Sequence, residues 1–192
     1  MSALATQGRL YGVGLGPGDP DLVTIKSLKA LQAAPVVAWF AKRGKRGNAR
    51  MIADTLMVPG VIELPLIYPV TVEIPFDSPE YKAQLAAFYG EASEVIAAHL
   101  RAGRDVALLC EGDPLFYGSF MHIYVRLREA FPVTICAGVT GMSGCWTAAG
   151  APMTWGDDTL SVLPGTLPRD ELLRRVKDAD ALVFMKLGRN FA

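Results

Sequence analysis

A chain of 192 residues with 51% hydrophobic and 20% charged residues has the composition of a folded globular protein, long enough to bury a core without a metal or disulfide staple. Nineteen basic residues balance nineteen acidic ones. That balance argues against a dedicated nucleic-acid binder, whose phosphate contacts need a basic surplus, and the apolar content excludes intrinsic disorder.

The first residues, Met1 to Gly8, lack the charged start and apolar core of a signal peptide. No apolar run approaches the roughly 20 residues that cross a bilayer. Cys110, Cys136 and Cys145 have no C-x-x-C spacing and read as core thiols in a reducing compartment. The expectation is a soluble, cytoplasmic protein with no metal site and no membrane or nucleic-acid partner.

Strand-length apolar runs alternate with helix-period segments. Leu10–Val13 is the first strand, followed by a helix from about Thr24 to Gln32. Pro35–Phe40 is a second strand, Asn48–Leu56 a short helix and Ile62–Leu66 a third strand. Ser78 then caps a long helix with Pro79 at its first position. Tyr81, Leu85, Phe88, Val95 and Ile96 fall on one face of it, and Gly103 ends it. The run Asp105–Cys110 is apolar nearly throughout, as expected of a central strand in a parallel sheet covered on both sides. Helix 118–130, strand Val133–Cys136, helix 140–150, strand 159–163, helix 169–178 and strand Ala181–Met185 complete the series. Such alternation predicts an α/β architecture. A domain boundary is expected at Gly112–Gly118, giving domains 1–115 and 116–192.

Three loops carry the candidate chemistry. Gly12-Val13-Gly14-Leu15-Gly16-Pro17-Gly18-Asp19-Pro20 follows the first strand. Its glycines let backbone approach a ligand, yet the spacing is wrong for a dinucleotide fingerprint, and Pro17 and Pro20 keep it from running straight into a helix. Glu111-Gly112-Asp113-Pro114-Leu115-Phe116-Tyr117-Gly118 follows the most apolar strand, at the edge where open α/β sheets bind ligands. Ala137-Gly138-Val139-Thr140-Gly141-Met142-Ser143-Gly144 opens a helix that Thr140 is placed to cap. Each also reads as a structural turn, with Asp113 as its hydrogen-bonding residue.

Taken in this order, the loops resemble the tetrapyrrole methylase family, with its G-x-G-P-G-D loop, G-D-P-x-x-Y-G turn and P-G-V-[ST] loop. The likeness spans almost the whole chain, with Ala137 standing where the family usually has Pro. Leu109–Phe120, Val162-Leu163-Pro164-Gly165-Thr166-Leu167-Pro168 and Met185-Lys186-Leu187-Gly188-Arg189-Asn190 liken the chain to the branch that methylates carbon 20 of precorrin-2 in cobalamin biosynthesis. The Arg-Gly-Gly-Glu stretch of the sirohaem branch is missing. The resemblance implies two α/β domains with a cleft between them for S-adenosyl-L-methionine, S-adenosyl-L-homocysteine as product, and a homodimer. It implies that Pro17, Glu111, Gly112, Asp113, Phe116, Thr140 and Gly141 line that cleft and that Met185 packs near the adenine.

The substrate supplies its own nucleophile, an enamine-like carbon, so the enzyme contributes mainly alignment. No catalytic base is identified: the position where the sirohaem branch carries an Asp falls near Phe40–Ala41. Tyr68 and Tyr117 are candidates for orienting the macrocycle, and His99 and His122 read as structural histidines. The run Lys42-Arg43-Gly44-Lys45-Arg46-Gly47-Asn48-Ala49-Arg50 contains no acid. It reads as a solvated loop or, through Lys42, Arg43, Lys45 and Arg46, as a contact for the acetate and propionate groups of a tetrapyrrole. Open alternatives are a sister enzyme taking the cobalt-containing substrate, another tetrapyrrole methylase such as a sirohaem-branch enzyme, a dinucleotide-dependent oxidoreductase, and an inert binding module. Because the apolar strand Ala181–Met185 lies so near the end of the chain, the natural protein is expected to be longer.

Overall fold

The computed structural model describes residues 7–69 and 78–187. Its first unit, Met1–Gly141, holds β1 (Leu10–Gly14), α1 (Ile25–Ala33), β2 (Val36–Ala41), α2 (Asn48–Ile52), β3 (Ile62–Ile67), α3 (Pro79–Arg101), β4 (Val106–Cys110), α4 (Phe120–Leu127) and β5 (Val133–Cys136). The strands form one parallel sheet in the order β3-β2-β4-β1-β5. Asp105–Cys110 was expected at the centre, and β4 sits there with every residue buried. The expected boundary at Gly112–Gly118 falls inside this unit. That turn breaks the helical period, but the chain returns to the same sheet as β5 beside β1.

Alternation along the strands divides the core into two layers. Leu10, Val36, Ala38, Val106, Leu108 and Cys110 face α3 and α4, packing on Phe88, Ile96, Leu100, Phe120 and Ile123. Val13, Val37, Trp39, Ala107 and Leu109 face α1 and α2, packing on Ala30, Leu31, Ala49 and Ile52. Burying a side chain such as Ile96 or Leu100, both 0% exposed, contributes roughly 1.5–3 kcal/mol. β3 is the edge strand with most of its residues exposed, which is why it tolerates Pro65.

The caps are local. Thr24 Oγ1 accepts from Ser27 N at the start of α1, and Ser78 Oγ accepts from Tyr81 N at the start of α3. Gly103 has φ +73, the left-handed stop expected of it. Two expectations are corrected. Val95 is 44% exposed, because Phe88, Ala92 and Ile96 carry the buried face of α3 and leave it on the flank. α2 ends at Ile52 rather than Leu56, because the chain turns there and brings Asp54 within reach of Arg46 and Arg50.

The second unit, Met142–Ala192, contains most of α5 (Gly141–Ala149), then β6 (Leu160–Pro164), α6 (Arg169–Val176) and β7 (Ala181–Met185). β6 and β7 pair in parallel from Leu160↔Ala181 to Pro164↔Met185. Cys145 on α5 is exposed, unlike the buried Cys110 and Cys136, so only two of the three thiols are core residues. The Gly188-Arg189-Asn190 end of the last motif lies outside the described residues. No helix among the described residues is long and apolar enough to cross a membrane.

Candidate active site

β1 and β4 are neighbours in the sheet, and the helices that follow them pack on opposite faces. The chain therefore parts above their carboxyl ends, where open α/β sheets hold ligands. The three glycine-bearing loops converge there. Leu15 N donates to Cys110 O at 2.9 Å, Gly112 N donates to Gly16 O at 2.8 Å, and Gly16 and Gly112 form an antiparallel bridge. The loop after β5 closes on both. A Cβ at Gly138 would overlap the Gly112 carbonyl oxygen and lie 2.9 Å from Gly14 Cα. Only glycine lets the three backbones meet at that point.

Asp113 fastens this junction. Its Oδ2 accepts from Gly138 N at 3.0 Å and its Oδ1 from Leu115 N at 2.8 Å. The carboxylate expected to line the cleft thus tethers one loop to the next. The other residues expected to line that cleft lie on the same three loops. Glu111 is exposed at the sheet edge and accepts from Asn48 Nδ2 at 3.1 Å, while Gly112 and Pro17 are half-buried. Phe116 and Tyr117 pack edge to face at 4.8 Å between centroids. Tyr117, 39% exposed, has φ +55, a left-handed conformation that costs an ordinary residue about 1–2 kcal/mol. Thr140 and Gly141 complete the third loop, with nothing within 4 Å of a Cβ at Gly141 and nothing nearer than 3.6 Å at Gly112. A flat heteroaromatic base with a hydroxyl-bearing sugar suits this set: aromatic rings for the base, a carboxylate for hydroxyl donors, and open backbone between. Met185 closes β7 in the second unit, where its carbonyl accepts from Gly165 N at 2.6 Å.

The basic run follows β2 on the same edge, and its members have different roles. Arg46 Nη2 lies 2.5 Å from Asp54 Oδ1, so this residue anchors the loop. Arg50 is also committed: it meets Glu63 with Nε and Nη2 at 2.9 and 3.0 Å, pairs with Asp54, and lies over the Trp39 ring. Lys42, Arg43 and Lys45 are exposed, and their side chains pair with no acid among the described residues. Sequence reasoning missed the sorting because Asp54 and Glu63 lie outside the run. The hydrogen bond from Arg46 holds Asp54 below the ordinary carboxylate range, and that from Arg50 does the same for Glu63. A lowered carboxylate pKa stabilises the fold above the unfolded value of about 4, and that contribution is lost as pH falls through the folded value. An NMR titration of the Asp54 carboxyl carbon is expected to give a midpoint below about 4 in the native protein and a return toward it in Arg46→Ala. An identical midpoint in both would dissolve the anchor.

Tyr68 follows β3 and is turned inward. Its hydroxyl lies 2.6 Å from Ser119 Oγ, its ring stacks on Phe40 at 5.5 Å, and burial pushes its pKa up. It therefore stays protonated and serves as a hydroxyl group, not as a base. Ser119 also meets the Tyr89 hydroxyl at 2.9 Å. Nothing in the sequence marked that junction, since its members stand 51 and 30 positions apart. His122 stacks on Tyr89 at 4.1 Å, and His99 accepts from Arg104 Nε just before β4, at the opposite edge of the sheet. Both make contacts within the fold.

Comparison with known proteins fits this geometry. Residues 9–192 match the family described as Tetrapyrrole (Corrin/Porphyrin) Methylases. The precorrin-2 C(20)-methyltransferase of Sinorhizobium sp is 57% identical over 183 residues, covering 95% of this chain and 75% of that protein. The cobalamin biosynthesis protein CobIJ of Mycobacterium bovis is 50% identical over 188 residues, covering 98% of this chain and 37% of that protein. Uroporphyrin-III C-methyltransferase from Thermus thermophilus, solved with S-adenosyl homocysteine, superposes with a TM-score of 0.63 at 26% identity. That match covers 95% of this chain and 67% of the Thermus chain.

Proposed function

The chain belongs to the tetrapyrrole (corrin/porphyrin) methylases, and from that premise we propose that it methylates C20 of metal-free precorrin-2, giving precorrin-3A in cobalamin biosynthesis. The observation that carries this reading is the 57% identity, over 95% of the chain, to a precorrin-2 C(20)-methyltransferase. The junction of three loops supports this reading, with Pro17, Glu111, Gly112, Asp113, Phe116, Thr140 and Gly141 as the residues of the adenosyl site; Met185 is a further cofactor residue that the family likeness alone implies.

S-adenosylmethionine, when bound, supplies an electrophilic methyl group. The chain's own residues provide alignment: Asp113 sets the turn, the exposed Glu111 faces hydroxyl donors, and Phe116 and Tyr117 offer ring surface. Holding two reactants in line is worth on the order of 7–11 kcal/mol, enough to account for much of the rate when the substrate carbon is already nucleophilic. Lys42, Arg43 and Lys45 meet the acidic rim of the macrocycle, Arg46 holds their loop, and Tyr117 orients the ring system. Tyr68, turned inward on Ser119 and Phe40, supports the site from within the fold and does not face the substrate. Three free cysteines suit the reducing cytoplasm, where we place the protein as a homodimer.

Asp113→Ala is expected to weaken S-adenosylhomocysteine binding without unfolding the protein, since it frees Gly138 and Leu115 N–H groups at the surface of one loop junction. Calorimetry with an unchanged affinity would remove the turn from the site. The substrate is tested by comparing initial rates on precorrin-2 and on its cobalt-containing form. Faster turnover of the metal-free compound is expected; preference for the cobalt compound would reassign the substrate.

A further inference from the structure

Ser119 occupies the residue before α4, where a serine hydroxyl ordinarily caps the first N–H groups of a helix. Here it makes no such cap. Its Oγ instead meets the hydroxyls of Tyr68 at 2.6 Å and Tyr89 at 2.9 Å, joining the end of β3, the middle of α3 and the start of α4 at one atom. Both tyrosines are held by their surroundings. Tyr68 packs on Phe40 and Phe88, and the buried Tyr89 packs on Phe88 and His122. The serine oxygen is therefore fixed with respect to the sheet.

Two residues earlier the chain passes through Tyr117 at φ +55, and Gly118 between them is packed so closely that a Cβ there would lie 3.1 Å from Pro114 O. A tyrosine stays left-handed only when its neighbours hold it there. On one side the hold is Asp113, bonded to Gly138 N. On the other it is Ser119. We propose that Ser119 is a positioning residue, which through its two tyrosine partners clamps the far end of the Glu111–Gly118 turn and keeps Phe116 and Tyr117 presented to the adenosyl group. The inference rests on the reading of that turn as cofactor-binding.

The test uses S-adenosylhomocysteine calorimetry on the full chain, with a thermal melt on each variant. Ser119→Ala is expected to bind about tenfold more weakly, the cost of releasing a strained turn. Ser119→Thr, which keeps the hydroxyl, is expected to stay near the native affinity. A Tyr68→Phe, Tyr89→Phe double variant, which keeps both rings and removes the hydroxyls that meet Ser119, is expected to lose affinity in the same direction. A purely structural serine would lower the melting temperature without weakening binding. Native affinity in Ser119→Ala, or in the Tyr68→Phe, Tyr89→Phe variant, overturns the proposal. Asp113→Ala separates the two levels: if it alone weakens binding, only the clamp falls, and if neither variant does, the turn's assignment falls with it.

Discussion

Gly138→Ala is expected to weaken S-adenosylhomocysteine binding by roughly 5- to 150-fold, the equivalent of the 1–3 kcal/mol that overpacking typically costs. The added methyl would overlap the Gly112 carbonyl oxygen and lie 2.9 Å from Gly14 Cα. Both obstacles are backbone, so no rotamer change relieves them. The loops after β1, β4 and β5 must separate, and the Asp113 bond to Gly138 N goes with them. Gly90→Ala is the matched control. It lies inside α3 with nothing within 4 Å of its Cβ, so alanine there is expected to stabilise the protein by about 0.5–1 kcal/mol and leave binding alone. Calorimetry and a thermal melt on the two variants check both statements. Native affinity in Gly138→Ala would mean that the junction is not the site.

Neutralising Lys42, Arg43 and Lys45 together is expected to raise the KM for precorrin-2 on the order of tenfold, since three exposed ionic contacts contribute about 0.2–1 kcal/mol each. Turnover at saturation and cofactor affinity should change little. The rise in KM with added salt should also flatten, because the charges that salt screens have been removed. Arg46→Ala separates contact from anchoring. Its guanidinium is held by Asp54, so its loss acts by loosening the loop and should leave the salt dependence near native. Steady-state kinetics at low and high ionic strength read all of this. An unchanged KM in the triple variant at low salt would return the loop to solvent.

Much of the fold was legible because strands and helices in this chain differ in period as well as in composition. The run Val106–Cys110 could only be a strand covered on both faces, and it is the centre of the sheet. The three loops could be ranked from their glycines and their places after strands. How they touch could not, since Gly16, Gly112 and Gly138 come together only through parallel pairings of residues about a hundred positions apart. Asp113 read both as a residue of the cleft and as the turn's hydrogen-bonding residue, but a sequence does not show which backbone N–H groups use its carboxylate. Arg46 was grouped with its neighbours because its partner Asp54 lies just past the run. Ser119 carried no signal of its own in the sequence, and only packing reveals the two tyrosines that claim its hydroxyl. Val95 was misplaced because period alone fixes a face to within one position in a helix as long as α3.

The measurement closest to the central claim is the structure of the product. The protein would be incubated with precorrin-2 and S-adenosylmethionine carrying a carbon-13 methyl group, and the tetrapyrrole analysed by mass and NMR spectroscopy. One added methyl, with its carbon-13 signal coupled to C20, is the expected result. A product methylated at any other carbon, or precorrin-2 recovered unchanged with a cofactor-binding enzyme, would contradict it.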